Sequence, residues 1–497
     1  MSYTYNSQGN LASIRSSNAN GATVDYGYDA LNRLSSVTDN HLPAPSNVTT
    51  YGYDSAGNLQ SFVYPNLVAH VYSYNTLNRL TNLTVSRLAA SQGSYTYTFG
   101  PTGNRTSVTE LSGRKAIYIY DDLYRLKQED ISGGAPNGSI AYVYDKVGNR
   151  KTRTSTVAGI TNQTFNYDAN DRIATEGYDN NGNTINANSH VYKYDYENHL
   201  VDQDGGAVRI IYDGDGNRVA KTVGGITTRY LVDDRNPTSY AQVLEEIVGD
   251  VVQKSYTYGH KLISQNQASG LSFYGYDGHS SVRQLTNVVG AVTDAYAYDA
   301  FGNLISQSGA TLNVYLYAGE QIDGDTGVYY LQARYLHSST ARFFVADEDP
   351  GIQFEPASLH KYLYANNDPI NRRDPSGQFT LTDALVTVQI IGTIWSIGEA
   401  TYKAGQFLSK ARRGEQITHA DILRLAAATA LALAPLAGAK GTLRLSAAVE
   451  ELAIITGRSQ RFFLVKEVLK DEALALYHFA QRMLSRGMRL MNRRKGG

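Results

Sequence analysis

Cysteine is absent from the 497 residues, which excludes disulfide staples, thiol catalysis and cysteine-based zinc sites and suits oxidising surroundings. Tryptophan occurs once, and only 18% of the residues are charged. The first residues, MSYTYNSQGNL, hold neither a basic nor an apolar leader segment, so no classical signal peptide is expected. The chain begins inside a repeat, as expected of a fragment, a split gene or a protein exported without a leader. Long apolar runs are missing too. The two richest, Ala384 to Gly398 and Ile422 to Gly438, fall short of the roughly 20 residues that span a bilayer. Metalloprotease HExxH, P-loop and GxSxG motifs are absent from the C-terminal region. No metal site and no cofactor is expected.

Tyrosine, by contrast, occurs 39 times against 13 phenylalanines, and glycine 45 times. With many Asn and Thr, this bias favours strands joined by tight turns, since aromatic and β-branched side chains suit a pleated surface and Gly and Asn tolerate positive φ. The tyrosines are periodic. Tyr5, Tyr28, Tyr53, Tyr74, Phe99, Tyr120, Tyr144 and Tyr167 follow one another at intervals of 21 to 25 residues, the mark of stacked units. Two turn sub-types alternate: a Gly-Asn form, as in Ser55-Ala56-Gly57-Asn58-Leu59, and a bulkier form, as in Ala30-Leu31-Asn32-Arg33-Leu34, read as turning on Leu-Asn. Each unit is therefore a strand, a tight turn and a strand.

Pairs such as Tyr26 and Tyr28, or Tyr51 and Tyr53, place two rings on one face of a strand. Stacked hairpins then carry tyrosine ladders, which are either structural or rows that bind carbohydrate. Beyond Tyr178 the spacing becomes irregular. The pieces Tyr178-Asp179-Asn180-Asn181-Gly182-Asn183 and Tyr212-Asp213-Gly214-Asp215-Gly216-Asn217 superficially look like calcium loops, but they lack the closing glutamate, and turn chemistry accounts for them better.

The repeating Tyr-Asp-x-x-Gly-Asn pattern and the stretch from Tyr315 to Phe379, with YLYAGEQIDGDTGVYYLQARY, RFFVAD and SLHKYLYANNDPINRRDPSG, resemble the RHS/YD-repeat family with its RHS repeat-associated core domain. The likeness covers residues 1 to 379. It implies a mainly β fold in which hairpins spiral into a hollow shell capped by the core, and in many bacterial members an aspartyl-protease-like site that frees a C-terminal toxin. The signature is Pro369, Asp374, Pro375 and Gly377, with the cut at Gly377, Gln378 or Phe379. Asp347 and Asp374 match the family's catalytic positions, with Asp349 as a competitor. Such a pair of close carboxylates shares a proton, one serving as acid while the other activates water. Arg334 and Arg342 are possible supporting residues, read first as salt-bridge partners. The chain departs from the family at Ala341, where glycine is common, at Leu336 to Ser338, and at Gln378-Phe379.

After Phe379 the composition changes. Residues 380–497 hold 17 Lys and Arg against 9 Asp and Glu, a net +8 that leaves −9 on the rest of a chain of total −1. A basic cargo suits an acidic shell. The two apolar runs read as buried helices. Glu467 to Arg494 reads as an amphipathic helix with Arg482, Arg486, Arg489 and Arg493 on one face.

The expected organisation is β-hairpin repeats over residues 1–308, the core domain over 309–379 and a variable α-helical C-terminal toxin or pre-toxin module over 380–497. The leading function is encapsulation and release of that module in intercellular antagonism. The alternative is a non-enzymatic cell-surface or adhesion scaffold with a carbohydrate-binding tyrosine surface. Expected partners are the chain's own tail as cargo, an immunity protein, and a further shell segment or secretion-system component, with nucleic acid if the basic tail is a nuclease. The expected location is secreted or on the surface of a bacterium.

Overall fold

The computed structural model describes residues 1–42, 47–236, 238, 240–349, 356–378 and 381–382. Fifteen strands, from Ser2–Tyr5 to Gln163–Thr164, pair in strict chain order as one sheet, and fourteen more, from Gly177–Tyr178 to Leu304–Ser308, form a second sheet in the same way. Pairing is antiparallel between successive strands, because each unit closes on its neighbour through a tight turn. A four-stranded sheet follows, made of Gln321–Asp323, Val328–Leu331, Arg334–His337 and Arg342–Phe343. A two-stranded ribbon then pairs Arg372–Arg373 with Leu381–Thr382. The one α-helix among the described residues is the single turn Pro356–Leu359, and none there is long and apolar enough to cross a membrane. The apolar runs from Ala384 and Ile422 and the stretch Glu467 to Arg494, expected to be helical, lie outside the described residues.

The Tyr-Asp pair explains the turns. One oxygen of Asp54 accepts the backbone N–H groups of Ala56 and Asn58 at 2.9 and 2.8 Å, and the other accepts the Asn58 side-chain amide at 2.9 Å. Gly57 takes φ +86° to close the loop. In the second sub-type Asp29 holds the amides of Leu31 and Arg33 and the Arg33 guanidinium in the same manner. Here Asn32 adopts φ +59°. Asn therefore stands where Gly stood and Arg where Asn stood, which corrects the reading of Leu-Asn as the turning pair: Leu31 points outward, 71% exposed. Asn fits because it is the residue besides Gly that best tolerates the left-handed region. The Asp179 and Asp213 carboxylates serve the same turns, accepting from Asn183 and Asn217.

The tyrosine before each aspartate sits at a register shift, as at Gly27/Tyr28 and Gly52/Tyr53. Its hydroxyl donates to a backbone carbonyl of the preceding unit: Tyr28 to Leu11 at 2.8 Å, Tyr53 to Leu34 at 2.7 Å, Tyr144 to Leu126 at 2.8 Å and Tyr276 to Leu262 at 2.6 Å. Tyr74, Tyr120, Tyr167, Tyr194, Tyr212 and Tyr298 repeat the link. These hydroxyls tie repeat to repeat, which supports the structural reading of the ladder.

Contacts between the two sheets rise together along the chain. Tyr3 donates to Asp233 at 2.9 Å, the Ala22 amide to Glu245 at 2.8 Å, Thr257 to Asp39 at 2.7 Å, and Tyr64 to the Tyr274 carbonyl at 2.8 Å. The second sheet has thus come round to overlie the start of the first in the same sense, as a spiral does. Its strand Gly270–Tyr276 is buried on both faces: Phe273 meets Tyr64 on one side, and Tyr274 meets Asn313 and Tyr315 on the other. The four-stranded sheet and the two residues after it seat Val328, Tyr335, Phe344 and Val345 against Tyr192, Leu200, Val208 and Ile210 of the second sheet.

Candidate functional site

The signature is a self-capped turn. One Asp374 oxygen accepts the Gln378 amide at 3.0 Å and the Ser376 hydroxyl at 3.2 Å, the usual behaviour of Asp before Pro. Gly377 adopts φ +68°, and a Cβ there would overlap the Leu331 carbonyl oxygen and lie 2.9 Å from the Arg334 nitrogen. The Ser376 carbonyl accepts the Ala333 amide at 3.2 Å, and Arg334 Nε donates to the Gly377 carbonyl. The loop is thereby stitched to the strand Arg334–His337. The Pro369 carbonyl accepts from Tyr317 at 3.4 Å, and Phe379 lies outside the described residues.

Arg334 joins the two aspartates. Its Nη2 is 2.9 Å from Asp347 Oδ2 and 3.5 Å from Asp374 Oδ2, and its guanidinium lies 3.8 Å over the Phe343 ring. The side chains of Arg334 and Asp374 are 6% and 2% exposed and that of Asp347 19%. The positive charge between them offsets their mutual repulsion, and its burial demands that its other donors be used. Nη1 accordingly donates to the Lys361 carbonyl at 3.3 Å. That carbonyl also accepts the Asp347 amide at 2.8 Å. Asp349 enters through its backbone N–H, which donates to Asp347 Oδ1 at 2.9 Å. Arg342 is elsewhere: it donates to Asn149 at 2.8 Å and to the Asp171 carbonyl and packs on Tyr167 and Tyr362. It fastens the small sheet to the repeats through neutral partners rather than through the salt bridge expected of it.

Two acids with raised proton affinity escape a reading of the sequence alone. Glu320 is half-buried, and its carboxyl makes no hydrogen bond or ion pair among the described residues. Burial pushes its pKa up to about 8, Arg373 opposes the rise and the charge of Asp374 adds to it. The only local signal is one acid closing the aromatic stretch Tyr315-Leu316-Tyr317-Ala318-Gly319. Glu129 is likewise pushed up to about 8 by burial and then by Asp299. It accepts from the Ala300 amide at 3.0 Å and from Tyr142 at 3.2 Å. It borders a cavity of about 70 Å³ lined also by Arg105, Arg114, Arg283, Asp299 and Pro369.

The chemistry available is that of carboxyls and water: a carboxylate to take a proton, a protonated carboxyl to give one, and an arginine to hold charge. Among the described residues no group of three acids, histidines or cysteines could hold a metal ion.

Comparison with known proteins returns the same architecture. A family model described as the teneurin YD-shell matches residues 102–370, and one described as the RHS repeat matches residues 3–41. The tRNA3(Ser)-specific nuclease WapA of Bacillus spizizenii is 34% identical over 258 residues, and the tRNA nuclease WapA of Bacillus subtilis 33% over 258. Each alignment covers 48% of this chain and 11% of the relative, so the chain spans about a tenth of the length of these curated relatives. Salivary gland surface protein 1 of Aedes aegypti is 32% identical over 119 residues, covering 23% of this chain and 3% of that protein. Among solved structures, TcdB2-TccC3-TEV superposes with a TM-score of 0.61 at 18% identity, covering 76% of this chain and 21% of that one. TcdB2-TccC3 without its hypervariable C-terminal region gives 0.62 at 19%, covering 76% and 21%. At those identities the likeness is one of fold.

Proposed function

Because the chain belongs to the teneurin YD-shell family, with a match over more than half its length, we propose that it is a shell that holds its own C-terminal region, residues 380–497, as cargo and frees it by hydrolysis beside the Asp374-Pro375-Ser376-Gly377 signature. The observation that carries this reading is the seating of the signature. Asp374 is buried, Gly377 is wedged against the strand Arg334–His337, and Arg334 links Asp374 to Asp347. This arrangement gathers two carboxylates and an arginine around the loop, which is what hydrolysis beside it would use. The cargo is a toxin or pre-toxin, in a protein secreted from or displayed by a bacterium. Its net charge of +8 suits a polyanionic target, and the WapA relatives are named as tRNA nucleases. A neighbouring immunity protein is the expected partner.

The test is the intact mass of purified wild type beside Asp374→Asn and Asp347→Asn. The expected result is a wild-type break next to Gly377, Gln378 or Phe379 that disappears in both variants. A wild type that stays whole at neutral and mildly acidic pH would refute processing and leave the region a structural cap.

A further inference from the structure

The signature loop is built like the turns of the shell, with one exchange. In the turns that open on Asp145, Asp179 and Asp299 the aspartate accepts the amide of the fourth residue on at 2.9, 2.8 and 2.8 Å, and the glycine at the third takes a positive φ. Asp374 repeats this with the Gln378 amide at 3.0 Å and Gly377 at φ +68°. In the shell turns the glycine carbonyl accepts from a neutral side chain: Gly148 from Asn367 at 2.7 Å, Gly182 from Tyr362 at 2.9 Å and Gly302 from Tyr329 at 3.1 Å. The Gly377 carbonyl accepts instead from Nε of Arg334, whose side chain is 6% exposed.

The peptide bond that joins Gly377 to Gln378 thus has a cation on its oxygen and a carboxyl oxygen at its nitrogen. The bond before it is held by backbone groups: the Ser376 carbonyl accepts the Ala333 amide at 3.2 Å, and the Gly377 amide donates to the Asp374 carbonyl at 3.4 Å. An arginine stays charged, and a charged donor on a carbonyl oxygen stabilises most when negative charge gathers there as water adds. Resting on the processing function proposed above, we infer that the bond between Gly377 and Gln378 is the one that breaks and that Arg334 is the catalytic residue that holds its oxyanion. Asp374 takes a proton from water as the water oxygen bonds to the Gly377 carbonyl carbon. It returns that proton to the Gln378 nitrogen, 3.0 Å from its carboxyl, as the C–N bond breaks. The products are a Gly377 carboxylate and a Gln378 ammonium, and water is the only co-reactant. Glycine suits the third position because a Cβ there would overlap the Leu331 carbonyl oxygen, so the close approach to the strand of Arg334 needs its absence.

The test is the intact mass of both fragments, followed with time during cell-free synthesis of wild type, Arg334→Lys and Arg334→Gln. The wild-type fragments should end at Gly377 and begin at Gln378, while the equivalent bonds after Gly148, Gly182 and Gly302 stay whole. Arg334→Gln should slow the cut about 100-fold. Arg334→Lys keeps a charge between the aspartates but lacks the planar fork that reaches them and the carbonyl together, and should slow the cut at least ~10-fold. Should Arg334→Gln fail to fold by circular dichroism, Arg334→Lys carries the comparison, and the position of the wild-type cut needs no variant. Fragments that meet between Gln378 and Phe379 would overturn the bond assignment and leave processing standing. Folded Arg334 variants that cut at the wild-type rate would overturn the part given to Arg334. A wild type that stays whole overturns this inference and the processing function together.

Discussion

If the tyrosine ladder is structural, its hydroxyls should divide into two energetic classes that a single oxygen atom can separate. Tyr276 is 2% exposed and donates to the Leu262 carbonyl at 2.6 Å, whereas Tyr72, 3% exposed, buries a hydroxyl that has no hydrogen-bond partner. Replacement by Phe removes the same atom from both. At Tyr276 it deletes a hydrogen bond and strands a buried carbonyl, a cost of about 2 kcal/mol. At Tyr72 it removes a polar group already buried without a bond, a gain on the order of 1 kcal/mol. The two variants should therefore differ by about 3 kcal/mol, which at a denaturant slope of about 3 kcal/mol/M separates their urea midpoints by about 1 M. Far-ultraviolet circular dichroism against urea measures it. Equal midpoints, or a more costly loss at Tyr72, would refute the assignment of the Tyr-Asp hydroxyls to inter-repeat links.

Gly377→Ala should loosen the signature loop, since a left-handed alanine costs about 1–2 kcal/mol before its clash with the Leu331 and Arg334 backbone is counted. Faster limited proteolysis next to Gly377 would show it, and an unchanged digestion pattern would contradict the close approach. Acid should undo the layered packing through histidine. His70 is fully buried and stacked on Phe62 at 4.3 Å, both its nitrogens lack partners, and burial holds its pKa down to about 3. A depressed histidine contributes stability that is present above about pH 6.5 and is lost as pH falls towards its folded value, about 5 kcal/mol in all. His70→Phe should therefore shift acid unfolding to lower pH by circular dichroism, and an unmoved midpoint would refute it. His337 and His360 are depressed in the same direction, first by burial and then by nearby arginines.

The shell and its proposed cargo differ in charge, −9 against +8, an arrangement that favours retention at low ionic strength. The clasp between the small sheet and the repeats is polar as well. Arg150 and Arg153 both donate to the Ser339 carbonyl, Gln163 donates to the Ser339 hydroxyl at 2.8 Å, and Asn149 accepts from Arg342 at 2.8 Å, with His360 at the same distance. Arg334 and Asp374 are thus held in a frame that spans residues nearly 200 positions earlier in the chain.

Much of this protein was legible in its sequence because the relevant physics is local. An aspartate that caps the turn two to four residues on, a glycine or asparagine that accepts positive φ, and a tyrosine that reaches back one unit all act within about 25 residues, so the repeat pattern determined the strands, their order and their antiparallel pairing. Asp347, Asp374 and Arg334 came instead from the resemblance to the RHS family. Even in the repeats the register of the bulky turns was misread, because Leu31 is the conspicuous residue while Asn32 bears the strained angle. What the tertiary structure alone decided depends on distant contacts with no local signature: the second sheet lying over the first, Arg334 standing between two aspartates, and the enclosure of Glu129 and Glu320. An acid's proton affinity is set by what surrounds it, and for Glu129 those surroundings arrive from Asp299 and Ala300, about 170 residues away.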